Sequence, residues 1–212
     1  MQAFGKLWHF LWKEDSLASW LVNIALAFLL IRYIFYPLLG IILGTSFPIV
    51  AVVSESMEHE LGQGSICGRQ FAQRPASFNS YWQACGNWYE QQNITAQQFR
   101  SFPFPHGFNK GDIVLLWRAH PGNLRVGDLL VFQGDKPQPI IHRVVRRWQE
   151  QSQWYYQTKG DHNSESIGGN LEETKIATNR IYGKGILRIP YLGWVKIIFV
   201  EVLKPFGIII QR

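Results

Sequence analysis

The sequence predicts a mainly β fold: an antiparallel, barrel-like domain behind one N-terminal transmembrane helix, with a C-terminal interfacial helix as a candidate last element. Three observations predict it. Residues 17–31 form an apolar run broken only by Ser19 and Asn23. From residue 48 onward, six short β-branched runs are bounded by Gly, Asp, Asn and Pro. Residues 194–210 are apolar again, but Lys196, Glu201, Lys204 and Pro205 interrupt them.

The span comes first. Glu14, Asp15 and Ser16 supply helix-start signals, and residues 17–31 alone are too short to cross a bilayer. Adding residues 32–36 brings the run to about 20 residues. Tyr33, Phe35 and Tyr36 then fall where an aromatic belt lies, and Arg32 snorkels outward. A longer helix reaching Leu43 is the alternative, and it must accommodate Pro37 and Gly40. The run is longer than the apolar part of a cleavable leader and lacks a small-x-small exit, so it is expected to stay in the mature protein. Lys6 and Lys13 precede it, whereas Glu55, Glu58 and Glu60 follow with no basic residue until Arg69. The positive-inside rule puts residues 1–14 in the cytoplasm of a single-pass cell-membrane protein, with residues 15–44 as anchor and membrane-proximal segment.

Residues 45–193 form the extracytoplasmic β domain. Its strand runs are PIVAVVS from Pro48, GDIVLLW from Gly111, GDLLVF from Gly127, PIIHRVV from Pro139, WYYQT from Trp154 and GKGILRI from Gly183. Residues 58–110 read as an insertion, polar and aromatic, with one short helix expected at residues 95–102 and an Asn93-Ile94-Thr95 glycosylation sequon. Cys67 and Cys85 are the two cysteines, too few for a zinc site without histidines, and no CxxC or HExxH occurs. Outside the cytoplasm they read as a disulfide, which would contribute about 3 kcal/mol at best. Residues 194–212 are the membrane-associated end, lying on the bilayer, spanning it a second time or packing on the domain.

The composition narrows the function. Fourteen Phe, nine Trp and eight Tyr beside 17% charged residues favour contact with lipid. The net charge of +6 comes from scattered residues such as Arg118, Arg125, Arg146, Arg147 and Arg180, not from a basic stripe with interleaved aromatics, so nucleic acid is not an expected partner.

Three segments can carry chemistry. Ser56, in Ser54-Glu55-Ser56-Met57, follows the run at residues 49–53, where a strand would hold its backbone rigid at the mouth of a groove; a turn or cap is the simpler reading. His142 lies in PIIHRVV, where alternation puts Ile140, His142 and Val144 on one face and Ile141, Arg143 and Val145 on the other. A satisfied core histidine is the plain alternative, yet a serine needs a neighbouring base to be nucleophilic, and His142 is better placed for that than His9, His106 or His120. Asp161, in Thr158-Lys159-Gly160-Asp161, is a turn residue or the acid that orients the imidazole.

VVSESM, then GDIVLL, GDLLVF, PIIHRVV, YQTKGDHN and YGKGILRIPYLGWVKI, taken in order, resemble type I signal peptidases of the archaeal and endoplasmic-reticulum branch. The likeness covers residues 15–60 and 107–200; the histidine in HRV, where the bacterial branch uses lysine, assigns the branch. The resemblance implies a serine endopeptidase that removes signal peptides from secretory preproteins after small residues. It implies Ser56 as nucleophile, His142 as base, Asp161 as acid, and Ser54 with the Ser56 backbone N–H as oxyanion hole. No cofactor and no metal are expected. Expected partners are secretory preproteins, the lipid bilayer, and accessory membrane subunits or a translocon. Glu55 replaces the usual glycine of SGSM, and His59 the proline of SMEP. Where the family has a further aspartate after KGD, the sequence has Glu165, Ser166 and Ile167, making Glu165 the candidate supporting acid. A membrane-anchored β-barrel binding or scaffold module, and a peptidase of other membrane-tethered precursors, are the competing readings.

Overall fold

In the computed structural model, residues 2–60, 64–71, 77–135, 138–169, 172–195 and 197–198 are described. The chain divides into two compact units, Met1–Gly44 and Thr45–Arg212.

The first unit is helical. Helix α1 (Gln2–Trp12) is followed by α2 (Leu17–Leu30), a π turn (Ile31–Phe35) and α3 (Tyr36–Leu43). The last three form one continuous stretch, Leu17–Leu43, long and apolar enough to cross a membrane. It is the longer of the two lengths the sequence allowed, and Pro37 does not stop it. Proline lacks an N–H and its ring crowds the carbonyl one turn back. The π turn meets that demand by widening, with the Tyr36 N–H reaching back to the Ile31 carbonyl. Gly44 then ends the helix in the left-handed region, at φ 65°. The two polar breaks in the run have partners: Ser19 Oγ donates to Phe10 O at 2.6 Å and Asn23 Nδ2 to Leu11 O at 2.8 Å. Both carbonyls belong to the last turn of α1, where intrahelical donors run out.

The second unit is built on an open, seven-stranded antiparallel sheet, a half-barrel. Its strands are β1 (Ile49–Ala51), β4 (Ile113–Trp117), β5 (Leu129–Phe132), β6 (Ile140–Glu150), β7 (Gln153–Lys159), β8 (Ile176–Ala177) and β9 (Ile181–Ile189), in the order β1-β4-β9-β5-β6-β7-β8. All six expected strand runs are present, with β1 cut to three residues and β6 extended to eleven. The core is apolar side chains of the inward face, including Val114, Leu116, Leu129 and Val131 against Met57 and Phe108.

The insertion is more ordered than its polar texture implied. A hairpin, β2 (Gly64–Ile66) with β3 (Arg69–Phe71), precedes α4 (Phe78–Gln91) and α5 (Ala96–Arg100). The short helix expected at residues 95–102 is α5, started by a Thr95–Gln98 capping box. Helix α4 was not expected, although Tyr81, Cys85 and Tyr89 recur at helical spacing and form its buried face. Most of the apolar stretch 194–210, and with it the interfacial-helix expectation, lies outside the described residues.

Candidate active site

β1 ends at Ala51, and the chain then turns through residues 52–57, fixed to the neighbouring loop by Val52 N–H donating to Asp112 O at 2.9 Å. Ser56 lies in that turn with Met57 buried beneath it. His142 comes from β6, opposite Leu130 of β5. The fold closes an 86-residue separation, so that the Ser56 hydroxyl lies 2.9 Å from His142 Nε2. Ser54 Oγ is 3.1 Å from Ser56 Oγ.

The acid at the other ring nitrogen is neither of those the sequence pointed to. His142 Nδ1 contacts Glu173 Oε1. Glu173 is fully buried, its Oε2 accepts the Ile167 N–H at 2.6 Å, and its carbonyl accepts the Thr158 N–H at 2.9 Å, so the polar loop after β7 folds back to deliver it. Glu165, in the same loop, is exposed. Asp161 is buried but turned away from the imidazole. Its carboxylate accepts from Arg143 Nη2 at 2.7 Å and Nε at 2.9 Å, from Tyr89 OH at 3.0 Å, and pairs with His59 Nε2 at 2.9 Å. A carboxylate so surrounded has no lone pair left for His142, which it reaches only through its field.

Burial and charge set the protonation states. Burial pushes the His142 imidazole down from 6.5 to about 3, with Asp161 opposing and Lys159 reinforcing the shift. The resting ring is therefore neutral. With Glu173 taking the Nδ1 hydrogen, Nε2 is free to accept from the serine. Burial alone would raise Asp161, but the Arg143 guanidinium and the His59 hydrogen bond override it and hold the carboxyl well below its usual range.

A cleft of about 500 Å³ opens on the pair, walled by Ala51, Val53, Pro139, Ile141 and Ile167, with Ser54, Ser56 and His142 reaching into it. Its apolar walls follow from two strand ends, β1 and the start of β6. Among the described residues no cluster of three or more His, Cys, Asp or Glu side chains could hold a metal ion.

Sequence reasoning missed Glu173 and the network around Asp161. Alternation along β6 did carry a signal for the second. Consecutive strand residues face opposite ways, and His142 and Arg143 accordingly serve the two different clusters. Nothing local marks Glu173, whose partner lies 31 residues earlier.

No protein-family model matches the chain. Among curated proteins, it is 34% identical over 99 residues to the signal peptidase complex catalytic subunit SEC11 of Eremothecium gossypii, covering 44% of this chain and 59% of that protein. The SEC11 subunits of Candida dubliniensis and Colletotrichum graminicola are 31% and 32% identical over 98 residues, covering 58% and 57% of their lengths. The chain thus spans less than three-fifths of the length of these relatives. The chain is similar to catalytic subunits of a signal peptidase complex, the group that its own motifs resemble.

Proposed function

We propose that the protein is a membrane-bound serine endopeptidase that removes signal peptides from secretory preproteins, with Ser56 as nucleophile and His142 as general base. The observation that carries this reading is the 2.9 Å approach of the Ser56 hydroxyl to a neutral, buried imidazole at the mouth of an open cleft. SEC11 of Candida dubliniensis is the catalytic subunit of a signal peptidase complex, which supports the same chemistry and favours accessory membrane subunits as partners.

Nε2 takes the Ser56 proton as Oγ attacks the scissile carbonyl, and the imidazolium then gives that proton to the leaving amine. Water, deprotonated by the same nitrogen, releases the acyl group and restores the serine. Glu173 is the acid of this triad, holding the tautomer and favouring the charged ring that forms in the transition state. The Ser54 hydroxyl, 3.1 Å from Ser56 Oγ, and the Ser56 N–H are the oxyanion donors. Asp161 supports the site from behind and takes no part in proton transfer.

The edge strand β1, bonded on one side to β4, has an open side against which an extended substrate adds as a further strand. The anchor is Leu17–Leu43, with the N-terminus in the cytoplasm and the β domain outside. Lys6 and Lys13 before the span and a disulfide after it, Cys67–Cys85, support that orientation.

The test is cleavage of a preprotein with small residues at −1 and −3 by the purified protein in detergent. Ser56→Ala is expected to lower kcat by about 10⁴-fold or more. Cleavage at the wild-type rate by that variant would end the proposal.

A further inference from the structure

The turn at residues 160–163 is the rear wall of the Ser56–His142 pair. His162 N–H donates to Ser56 O at 2.9 Å, and Asp161 N–H to Met57 Sδ at 3.3 Å. A Cβ added at Gly160 would stand 2.8 Å from Ser56 O and 2.9 Å from His142 Nε2. Gly160 thus has no room for a side chain between the turn and the pair, and the turn's two hydrogen bonds couple its position to that of the nucleophile.

The far side of the same turn is gripped by the insertion. Tyr81 OH donates to Asp161 O and Tyr89 OH to Asp161 Oδ1, both at 3.0 Å. Cys67 N–H donates to His162 O at 2.9 Å, so the residue that bonds Ser56 through its N–H is bonded to the insertion through its carbonyl. The Cys67–Cys85 disulfide then ties the β2–β3 turn to α4. Cys85 lies one helical turn from Tyr81 on one side and from Tyr89 on the other, so a single covalent bond sets the two hydroxyls and the Cys67 amide together. Among the described residues, none of those walling the cleft comes from the insertion, so its described contacts reach the catalytic pair from behind.

We propose that the insertion is a disulfide-locked backstop for the catalytic pair, in which Tyr81, Tyr89 and the Cys67–Cys85 bond are positioning elements that act on Ser56 through Asp161 and His162. This rests on the peptidase reading and gives residues 58–110 a task within it. Oxidation state then governs the chemical step rather than substrate affinity. A displacement of Ser56 by a fraction of an ångström is enough, since misplacing a reacting group by about 1 Å costs on the order of 10²-fold.

The experiment compares the full-length wild type in detergent, oxidised and after reduction with dithiothreitol, with the Cys67→Ser/Cys85→Ser double variant and with Tyr89→Phe. Reduction and the double variant are expected to lower kcat about tenfold at unchanged KM, and reoxidation to restore the wild type only. Tyr89→Phe deletes one oxygen and keeps the packing; it is expected to lower kcat severalfold with its thermal midpoint within a few degrees of the wild type. Hydrogen exchange at the His162 amide, which donates to Ser56, is expected to quicken in every weakened form. Unchanged kcat and exchange after reduction would overturn the backstop, and so would a rise in KM at constant kcat. Cleavage that persists in Ser56→Ala would instead overturn the peptidase reading, and the His162 exchange would still report on the backstop.

Discussion

Two histidine–carboxylate pairs occupy the same β domain, and they differ in what lies beyond the ring. His142 touches Glu173 through Nδ1 and offers Nε2 to Ser56 where the cleft opens. His59 pairs with Asp161 through Nε2, but its ring face is covered by Tyr81, stacked at 3.7 Å, and its acid is saturated by Arg143 and Tyr89. Relative exposures of 3% and 6% make the two histidines equally buried, and burial lowers the pKa of both. A hidden imidazole with an acid beside it is therefore not yet a base. A hydroxyl and open space at the second nitrogen are what the proposed role of His142 needs in addition.

The largest consequence falls on the closed pair. Arg143 donates to Asp161 and to the carbonyls of Pro103, Phe104 and Gly127, so one side chain knits β6 to the end of the insertion. Arg143→Met leaves a buried carboxylate without its cation, at a cost of about 3–5 kcal/mol. Urea unfolding reads that loss directly. A variant as stable as the wild type would mean that the Asp161 cluster is not the structural one.

Glu173→Gln probes the open pair and is expected to act on rate. Its carboxamide keeps the shape, and the oxygen that accepts the Ile167 N–H turns the NH₂ toward His142 Nδ1. The imidazole hydrogen is then forced onto Nε2, where it cannot accept from Ser56. A fall in kcat of about 10²–10³-fold, or roughly 3–4 kcal/mol of barrier, is expected. The urea midpoint should move little by comparison. Unaltered turnover would remove Glu173 from the triad.

The contrast also explains what could be read from the sequence. The strands, the span, and the segments holding Ser56, His142 and Asp161 were legible because each leaves a local mark: alternation, an apolar run, a turn after a strand. The partners of those side chains were not. Asp161 and Glu173 both follow β7, twelve residues apart by their numbers, and the loop between them decides which meets His142. Helix α4 was hidden by its composition, since FNSYWQACGNWYEQ mixes aromatic, polar and glycine residues and only the spacing of Tyr81, Cys85 and Tyr89 betrays a face. Of the two helix lengths the sequence allowed, the structure has the longer one, to Leu43, because a π turn precedes Pro37 and accommodates it.

The smallest effect concerns His59 and depends on pH. Its folded pKa lies below the ordinary 6.5 because burial outweighs the Asp161 hydrogen bond, so the unfolded chain takes up the proton first. The neutral ring's contribution is complete above 6.5 and is lost as pH falls below that value, with a limiting slope of about 1.4 kcal/mol per pH unit for one proton. Asp161, whose folded pKa is depressed, loses its contribution only at lower pH, below the ordinary carboxylate range. His59→Gln keeps a donor for Asp161 and cannot titrate. Urea unfolding at a series of pH values from 7 to 5 should therefore give a shallower fall in stability for the variant, by up to that slope, with little difference at pH 7. If the two falls run parallel, folding leaves the His59 pKa where it is in the unfolded chain, and if the wild type falls less steeply than the variant, the ring is already charged in the fold and the closed pair is an ion pair.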